Sequence, residues 1–453
     1  MSNNLFDEFD AVSAKQWKQK IQFDLKGADY NNTLIWKTNE DIDVKPFYHG
    51  DDFEKPIDIS NTKTKHWKIC QSIFVADVNK SNLKAIDVLE RGAESIKFII
   101  PSENISIESL IKKINLNTTI LYFELQFLSE DFIKKIHEIA PKAKIQTDII
   151  GHLAKTGNWF ENLKTDFKTF KSIIKNSASC SINASLYQNA GANITQQLAY
   201  ALAHANEYLN ISENEDLNLK SLSVTFRISV GTNYFFEIAK LKALRKLWNT
   251  LALEYNANPD CEIIVTPTKR NKTLYDYNTN MLRTTTECMS AILGGSNTIC
   301  NLPYDFFYHK TNEFGERIAR NQLLVLKHES YFNKVNNPSD GSYYIENLTH
   351  QLSKNALELF KNIEANGGFL KQLKTGTIQR KIKESAIKEQ YDFDKGNEVL
   401  LGSNKHPNKN DKMKNELELY PFVKTKTRKT LIEPIIEKRL SEHLEQKRLK
   451  NEN

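Results

Sequence analysis

Short runs of β-branched and aromatic residues alternate along the chain with longer stretches in which apolar residues recur every three or four positions. The short runs are too short for globular helices, and most are bounded by turn residues, so they predict β-strands. Eight such runs occur, of which the eighth is the weakest: Lys68–Val75, Ser95–Pro101, Ile120–Leu125, Lys144–Ile150, Ser179–Ser185, Val224–Val230, Glu262–Pro267 and Asn297–Leu302.

The stretches between these strands predict helices. Leu241, Leu244 and Trp248 form one apolar stripe at helical spacing, for example. The predicted helices lie around Leu83–Arg91, Ile107–Asn115, Glu130–Ala140, Asp166–Asn176, Ile194–Asn210, Tyr234–Tyr255, Asn278–Leu293 and Glu313–Tyr331. Eight strand–helix repeats in strict alternation predict a (β/α)8 TIM barrel of the α/β class over residues 67–331. An open, doubly wound sheet would also fit the alternation, but eight units favour closure.

The remaining segments are predicted to be appendages of the barrel. Residues 1–66 form an N-terminal arm with a helix near Ala14–Leu25 and an extended piece at Asp43–Tyr48. Residues 332–391 form a helical extension, with a helix across Ile345–Ala365. Residues 392–453 form a basic linker, extended or mobile over 392–430, and end in a helix near Glu433–Lys450.

Composition narrows the class of protein. The chain has 453 residues, of which 40% are hydrophobic and 26% charged, which is typical of a globular protein. Most of the net charge of +6 comes from residues 403–453, but acidic residues interleave there, so we expect a solvated surface and no nucleic-acid site. Neither a signal peptide nor a long apolar segment is visible, and we expect a cytoplasmic protein without a membrane anchor.

The cysteines and histidines give no cofactor or metal motif. Five cysteines, an odd number without a C-x-x-C pair, argue against a disulfide framework or a zinc site and are expected to be reduced thiols. The ten histidines are scattered, and no phosphate loop or G-x-G-x-x-G fingerprint occurs. We therefore expect no metal and no nucleotide.

Barrel enzymes place their chemistry at the carboxyl ends of the strands. The polar residues at those predicted ends are Gln146, Asp148, Ser185 to Gln188, Arg227, Thr266 and Thr268. Gln146, Gln188 and Arg227 would line a polar pocket there. An equally simple interpretation, and a somewhat better one, makes them hydrogen-bonded polar residues of a filled barrel.

Four segments together resemble the acyl-CoA barrel of methylmalonyl-CoA mutase. They are Leu186–Leu209, Gly231–Trp248, Asn280–Gly295 and Arg317–Leu348. Trp17–Tyr48 is similar to the N-terminal segment of the small, or beta, subunit of that family, so the resemblance covers most of residues 5–450. It implies a barrel that holds the acyl-CoA, next to a separate cobalamin domain, for the conversion of methylmalonyl-CoA to succinyl-CoA in propionate metabolism.

The residues that this chemistry needs are replaced in the present chain. The family motif S-G-Y-H-x-Q-E-A-G-A aligns on Ala190-Gly191-Ala192 and places Leu186 at the histidine and Ser185 at the tyrosine. The motif I-Q-N-D-I-L is kept in part, with Gln146 retained, but Thr156 stands where the family has an arginine. A leucine cannot donate to a thioester carbonyl, and a threonine cannot pair with a carboxylate as a guanidinium does.

The resemblance thus implies a non-catalytic small subunit that binds no cofactor itself. Its partner would be the catalytic large, or alpha, subunit, which carries adenosylcobalamin. None of the ten histidines here follows an aspartate by two residues, as the D-x-H-x-x-G motif of the cobalamin domain requires. Trp17, Trp36 and Phe53 of the arm would either anchor the partner or pack the arm onto its own barrel, and the two interpretations are equally good.

Two alternatives remain open at this point. The chain could be an active acyl-CoA mutase barrel that works with a separate cobalamin-binding subunit, or a barrel lyase or hydrolase that uses Asp148 and Glu262, which show no partner in the sequence. Whether CoA enters the barrel is also open. Small residues in the fifth strand favour a hollow interior, whereas Phe226, Ile228 and Ile264 would plug it.

Overall fold

Eight parallel strands form the central sheet of the protein. The computed structural model describes residues 8–53, 64–213, 218–424 and 427–452. The strands are β1 Lys68–Phe74, β2 Ser95–Ile100, β3 Ile120–Leu125, β4 Lys144–Ile145, β5 Ser179–Asn183, β6 Ser223–Val230, β7 Cys261–Pro267 and β8 Thr298–Ile299. Their order is β4-β3-β2-β1-β8-β7-β6-β5, so the first strand pairs with the last. The sheet is a nearly closed (β/α)8 barrel, as predicted.

The barrel has one seam. Within the described residues no hydrogen-bonded ladder joins β4 to β5, while all seven other neighbouring pairs are bonded. β4 is also shorter than predicted, because Asp148 ends the extended run by capping a new helix. Its Oδ1 atom accepts from the backbone N–H of Gly151 at 2.7 Å, and the helix Ile149–Thr156 begins there.

Helices cover the outside of the sheet, eight of them near the predicted places, whereas Ile149–Thr156 and Ser185–Asn189 were not predicted. Within the described residues the barrel helices are Val78–Glu90, Ile107–Leu110, Glu130–Ile139, Ile149–Thr156, Leu163–Ser177, Ser185–Asn189, Ile194–Glu213, Tyr234–Glu254, Thr279–Leu293 and Glu313–His328. None of the described helices is long and apolar enough to cross a bilayer. Alternate residues of each strand pack against this helical layer; Phe226 of β6, for example, meets Trp248 edge-on at 5.5 Å between ring centroids.

The N-terminal arm contains the helix Ala14–Asp24, the short helix Tyr30–Leu34 and a two-residue antiparallel ladder of Trp36–Lys37 with Asp43–Val44. Trp17 stacks on Phe47 at 4.5 Å, and Phe53 lies 5.8 Å from Tyr343. Trp36 contacts Phe236, yet it is 51% exposed. The aromatic rings of the arm therefore pack onto their own chain and still leave apolar surface uncovered.

The C-terminal region differs most from the prediction. Helices Tyr343–Ala365, Gly368–Lys374 and Thr377–Lys395 follow the barrel, and the last of these runs through the predicted boundary at residue 391. The final helix is only Glu442–Lys450, not Glu433–Lys450, since residues 430–441 form an irregular segment, neither helix nor strand, that we call the strap. Nor is the tail merely a solvated surface, because Arg439 and Glu445 form a buried ion pair at 2.6 Å.

Candidate functional site

The strap crosses the carboxyl ends of the strands, which are the mouth of the barrel. The backbone N–H of Ile435 donates to the carbonyl of Ala154 at 2.8 Å, that of Lys438 to Asn189 at 3.0 Å, and that of Leu440 to Arg270 at 2.9 Å. These acceptors lie after β4, β5 and β7 respectively. Main-chain hydrogen bonds therefore tie the strap to two helices and one loop at the mouth, and the Glu437 side chain of the strap also accepts from Asn189 and Lys269.

The predicted polar residues at the mouth line two cavities rather than one. Gln146 and Arg227 line a cavity of about 230 Å³, which we call the Gln146 cavity. Gln188 and Thr268 line another of about 440 Å³, the Gln188 cavity. The expectation that Gln146, Arg227 and Gln188 share a pocket was therefore wrong for Gln188, whose side chain accepts from Lys240 and donates to Glu237 instead.

The Gln146 cavity combines an unpartnered amide with a compact group of charges. Neither the amide oxygen Oε1 nor the amide nitrogen Nε2 of the buried Gln146 has a hydrogen-bond partner within the described residues. Arg227 donates to Glu124 at 2.7 Å, and Lys97 lies 3.5 Å from the same carboxylate. Burial alone would raise the pKa of Glu124, but the two cations hold it below its usual value. The cavity is polar, and its two lining cations, Lys155 and Arg227, are balanced by the carboxylates of Glu124 and Asp148.

Asp148 ties the two edges of the seam together. Its Oδ2 atom accepts from the backbone N–H of Asn183 on β5 at 2.7 Å, and its Oδ1 atom accepts from the Tyr208 hydroxyl at 2.6 Å. His204 Nε2 lies 2.9 Å from the same Oδ1, and His204 Nδ1 lies 2.9 Å from the Tyr187 hydroxyl. Burial would raise the pKa of Asp148, but His204 and the hydrogen bonds lower it. The expectation that Asp148 lacks a partner was wrong.

The three positions that replace family residues are engaged locally. Leu186 is 1% exposed within the core between sheet and helices. The Ser185 hydroxyl donates to Asn183 Oδ1 at 2.5 Å. The Thr156 hydroxyl lies 2.9 Å from the carbonyls of His152 and Asn158, at the end of its helix. Thr156 lines the Gln146 cavity, whereas Leu186 does not.

Side chains fill the interior of the barrel, which we call the lumen. Cys70, Tyr122, Ile264 and Cys300 form one buried cluster although they come from β1, β3, β7 and the end of β8. The hydroxyl of the fully buried Tyr122 donates to Glu262 at 2.6 Å and lies 2.9 Å from Thr298 Oγ1, while Lys144 pairs with Glu262. Residues on opposite walls thus meet across the axis, as in a packed barrel.

Only one of the three residues expected to plug the lumen lies in it. Ile264 belongs to the lumen cluster, but Phe226 and Ile228 pack in the outer core with the helices. Glu262, expected to lack a partner, is bonded to Tyr122 and Lys144. The sequence signal for these positions is that successive side chains of a strand point to opposite faces of the sheet. Glu262 and Ile264 therefore share the inner face of β7, while Ile263 and Val265 share the outer face.

The histidines near the mouth do not fit a role as a cobalt ligand. His204 is fully buried between Asp148 and Tyr187, and His152 stacks on Phe160 at 3.6 Å between ring centroids. Both rings therefore lie against their own chain rather than towards a group above the mouth. Within the described residues no cluster of three histidines, cysteines or carboxylates is arranged to hold a metal ion.

Glu40, which lines the Gln188 cavity, makes the stability of the protein depend on pH. Its Oε2 atom is buried without a hydrogen-bond partner, and burial raises the pKa of Glu40 from 4.5 to about 7, assisted by Glu237 and Glu389 and opposed by a backbone hydrogen bond at Ile194. The folded state therefore binds this proton more tightly than the unfolded state. Stability is lost as the pH rises from about 4.5 to about 7.

We expect Glu40→Gln to raise the free energy of unfolding by about 1–3 kcal/mol at pH 8 and to leave it unchanged near pH 4. The amide cannot ionise, so the substitution removes the cost of burying a charge. Urea unfolding at the two pH values measures the effect. Asp41→Asn, at the exposed neighbouring position, is the control and should change little at either pH. An equal effect of Glu40→Gln at both pH values would contradict the interpretation.

Comparison with known proteins adds a family and three relatives. The family model for methylmalonyl-CoA mutase matches residues 100–451. The chain is similar to the methylmalonyl-CoA mutase small subunit of Porphyromonas gingivalis, with 33% identity over 447 residues that cover 89% of this chain and 71% of that protein.

The chain is also similar to a methylmalonyl-CoA mutase of Rhizobium meliloti, with 33% identity over 61% of this chain and 37% of that protein. A methylmalonyl-CoA mutase large subunit of Streptomyces virginiae is 24% identical over 87% of this chain and 62% of its own length.

Proposed function

The chain belongs to the methylmalonyl-CoA mutase family, and from that premise we propose that it is the non-catalytic small subunit of a heterodimeric, adenosylcobalamin-dependent methylmalonyl-CoA mutase. The single observation that carries this proposal is that side chains meet across the lumen. A barrel that holds an acyl-CoA needs space along its axis, and here Tyr122 and Ile264 meet Cys70 and Cys300 across it. A hydrogen bond from Tyr122 to Glu262 and another between the Tyr122 and Thr298 hydroxyls hold the ring in that position.

The replaced positions support the same proposal. The isomerisation requires a donor for the thioester carbonyl and a cation for the substrate carboxylate. Leu186 has no polar atom and lies in the outer core, and the Thr156 hydroxyl is engaged by the carbonyls that end its helix. Electrostatic stabilisation of developing charge needs donors already aimed at that charge. Neither side chain offers one.

The partner of this chain is the catalytic large subunit. The similarity to both a small and a large subunit supports an assembly of two related barrels. The uncovered aromatic surface of the arm, including Trp17 and Trp36, is available for the contact. Adenosylcobalamin would be carried by the large subunit, where it supplies the radical chemistry, and the small subunit stabilises the fold or the closed state of that partner.

The alternative of an active barrel that works with a separate cobalamin-binding subunit has one observation in its favour. The unpartnered amide of Gln146 still faces a cavity that also contains Arg227. That alternative still lacks the donor at Leu186 and the cation at Thr156, so we rank it second.

The test uses the chain alone, with its large subunit, and with an isolated cobalamin-binding protein. Methylmalonyl-CoA isomerisation and the corrin absorption spectrum are measured in each sample. We expect turnover only with the large subunit, and no corrin spectrum from the purified chain alone. Turnover with the isolated cobalamin-binding protein would overturn the proposal in favour of the alternative.

Leu186→His restores the imidazole of the family motif and is expected to give no turnover in the absence of the large subunit. We expect a free energy of unfolding that is about 1–3 kcal/mol lower, because the polar ring enters an apolar core. Isomerisation assays and urea unfolding measure both effects. Leu186→Met, which nearly conserves volume, is the control and should cost less than about 1.5 kcal/mol. Turnover by the histidine variant alone would show that the pocket was retained.

A further inference from the structure

Two of the five cysteines lie side by side in the lumen. The ladder between β8 and β1 pairs Thr298 with Lys68 and Ile299 with Ile69. Continued by one residue, this register places Cys300 beside Cys70. Both side chains belong to the lumen cluster with Tyr122. They therefore project from neighbouring strands towards the same side of the sheet.

The spacing of neighbouring strands suits a covalent link between these residues. Adjacent strands lie about 4.8 Å apart, and disulfides join residues whose Cα atoms are about 4.4–6.8 Å apart. A bond between Cys70 and Cys300 thus needs little movement of the backbone. The other three cysteines, Cys180, Cys261 and Cys288, belong to the outer core, and all five cysteines are free thiols in the structure.

The surroundings make the two thiols unequal. Ser72 Oγ lies 2.9 Å from Cys300 Sγ. A hydrogen bond from Cys70 lowers the pKa of Cys300, with further help from the ammonium of Lys97, although burial opposes it. Burial raises the pKa of Cys70. Where one of two adjacent thiols is the more acidic, that sulfur reacts first and the other resolves the product.

We propose that Cys300 and Cys70 are an oxidisable dithiol, in which Cys300 reacts with hydrogen peroxide and Cys70 then closes a disulfide between β8 and β1. Glu124 and Arg227 line the Gln146 cavity, and Lys97 contacts Glu124. The ammonium of Lys97 therefore lies close both to a carboxylate that lines this cavity and to Cys300. The inference does not depend on the mutase function.

The reaction balances with peroxide as the oxidant. The Cys300 thiolate attacks one peroxide oxygen, the O–O bond breaks, and the leaving hydroxide takes a proton to become water. Cys300 is then a sulfenic acid. The sulfur of Cys70 attacks the sulfenic sulfur, the S–O bond breaks, and a second water leaves with the thiol proton. Two thiols lose two electrons in total, and one peroxide is reduced to two waters.

The experiment treats the full chain with hydrogen peroxide, blocks remaining thiols after unfolding, and maps the peptides by mass spectrometry. Cys288 and Cys300 lie on the same tryptic peptide, from Thr284 to Lys310, so the mapping is repeated with Cys288→Ser as the matched control. We expect a Cys70–Cys300 cross-link in both proteins that dithiothreitol reverses. It should form at least ten times faster than any oxidation of Cys180 or Cys261.

Two variants assign the roles. Cys70→Ser should stop at a sulfenic acid on Cys300 that dimedone traps, and Cys300→Ser should leave Cys70 reduced under the same conditions. Equal oxidation of Cys70 in the Cys300→Ser protein would overturn the assignment. Recovery of all five thiols in the peroxide-treated wild-type chain would overturn the proposal, and this measurement needs no variant to fold.

Discussion

Replacing Asp148 with alanine is expected to lower the free energy of unfolding by about 3–5 kcal/mol. The carboxylate caps the helix Ile149–Thr156, accepts from Tyr208, and bonds the backbone of Asn183 across the seam. The carboxylate oxygen Oδ1 also lies 2.9 Å from Nε2 of His204, which is fully buried. Alanine would leave the His204 ring, the Tyr208 hydroxyl and the two backbone N–H groups without their partner in the interior. Urea unfolding followed by circular dichroism measures the loss.

Two further variants separate the contributions of Asp148. Asp77→Ala removes only an exposed helix cap, in which Asp77 accepts from Lys80, and should cost about 1 kcal/mol. Asp148→Asn keeps a capping oxygen but removes the charge. Because the folded-state pKa of Asp148 is lowered, its contribution is present above about pH 4 and is lost as the pH falls through that folded pKa. The difference between wild type and Asp148→Asn should therefore shrink in acid, and a difference that does not depend on pH would contradict this account.

Removing the ring of Tyr122 is expected to cost about 3–5 kcal/mol, as large aromatic truncations in cores do. Tyr122→Ala would leave a void on the barrel axis and would free Glu262 and Thr298 from their shared partner. Urea unfolding measures the loss. Isomerisation assays of the chain alone should still show no turnover, since the positions of Leu186 and Thr156 are unchanged.

Tyr122→Phe is the matched control for the hydroxyl. It keeps the ring between Cys70 and Ile264 but removes two hydrogen bonds, and we expect a cost of about 1–2 kcal/mol. Glu262 would keep its ion pair with Lys144. If Tyr122→Ala were no less stable than Tyr122→Phe, the ring would not be a packing element and the lumen would not be filled in the way described.

Long periodic segments were predictable from sequence, and short ones were not. The pattern predicts the helices Tyr234–Glu254 and Thr279–Leu293 within one residue at each end. It misplaces the end of β4, because the residues Ile149 and Ile150 suit a strand as well as a helix, and only the aspartate cap decides between them. The helix predicted from Glu433 is wrong because the strap bonds to helices and a loop that are distant in sequence, which no local pattern encodes.

The site was predictable as a location but not as an arrangement. Parallel strand ends meet at one face, and of the two interpretations of Gln146 and Arg227, the shared pocket fits their common cavity better than hydrogen-bonded residues of a filled barrel, because Gln146 has no partner. Which of two cavities Gln188 lines depends on the buried Glu237 and Lys240 of another helix. His204 shows no local signal either, since its role depends on Asp148, 56 positions earlier in the chain.

The unbonded pair β4 and β5 also affects how wide the barrel is. In a ring of strands that is hydrogen-bonded all the way around, strand number and stagger determine the radius. Here Asp148 and its hydrogen-bond partners join the two strands. Side chains of other lengths would therefore change the distance between β4 and β5 without breaking a hydrogen-bonded ladder. Substitutions at the join between β4 and β5 alone can thus change the circumference of the barrel. The same eight strands are therefore compatible with wider or narrower axial channels in relatives.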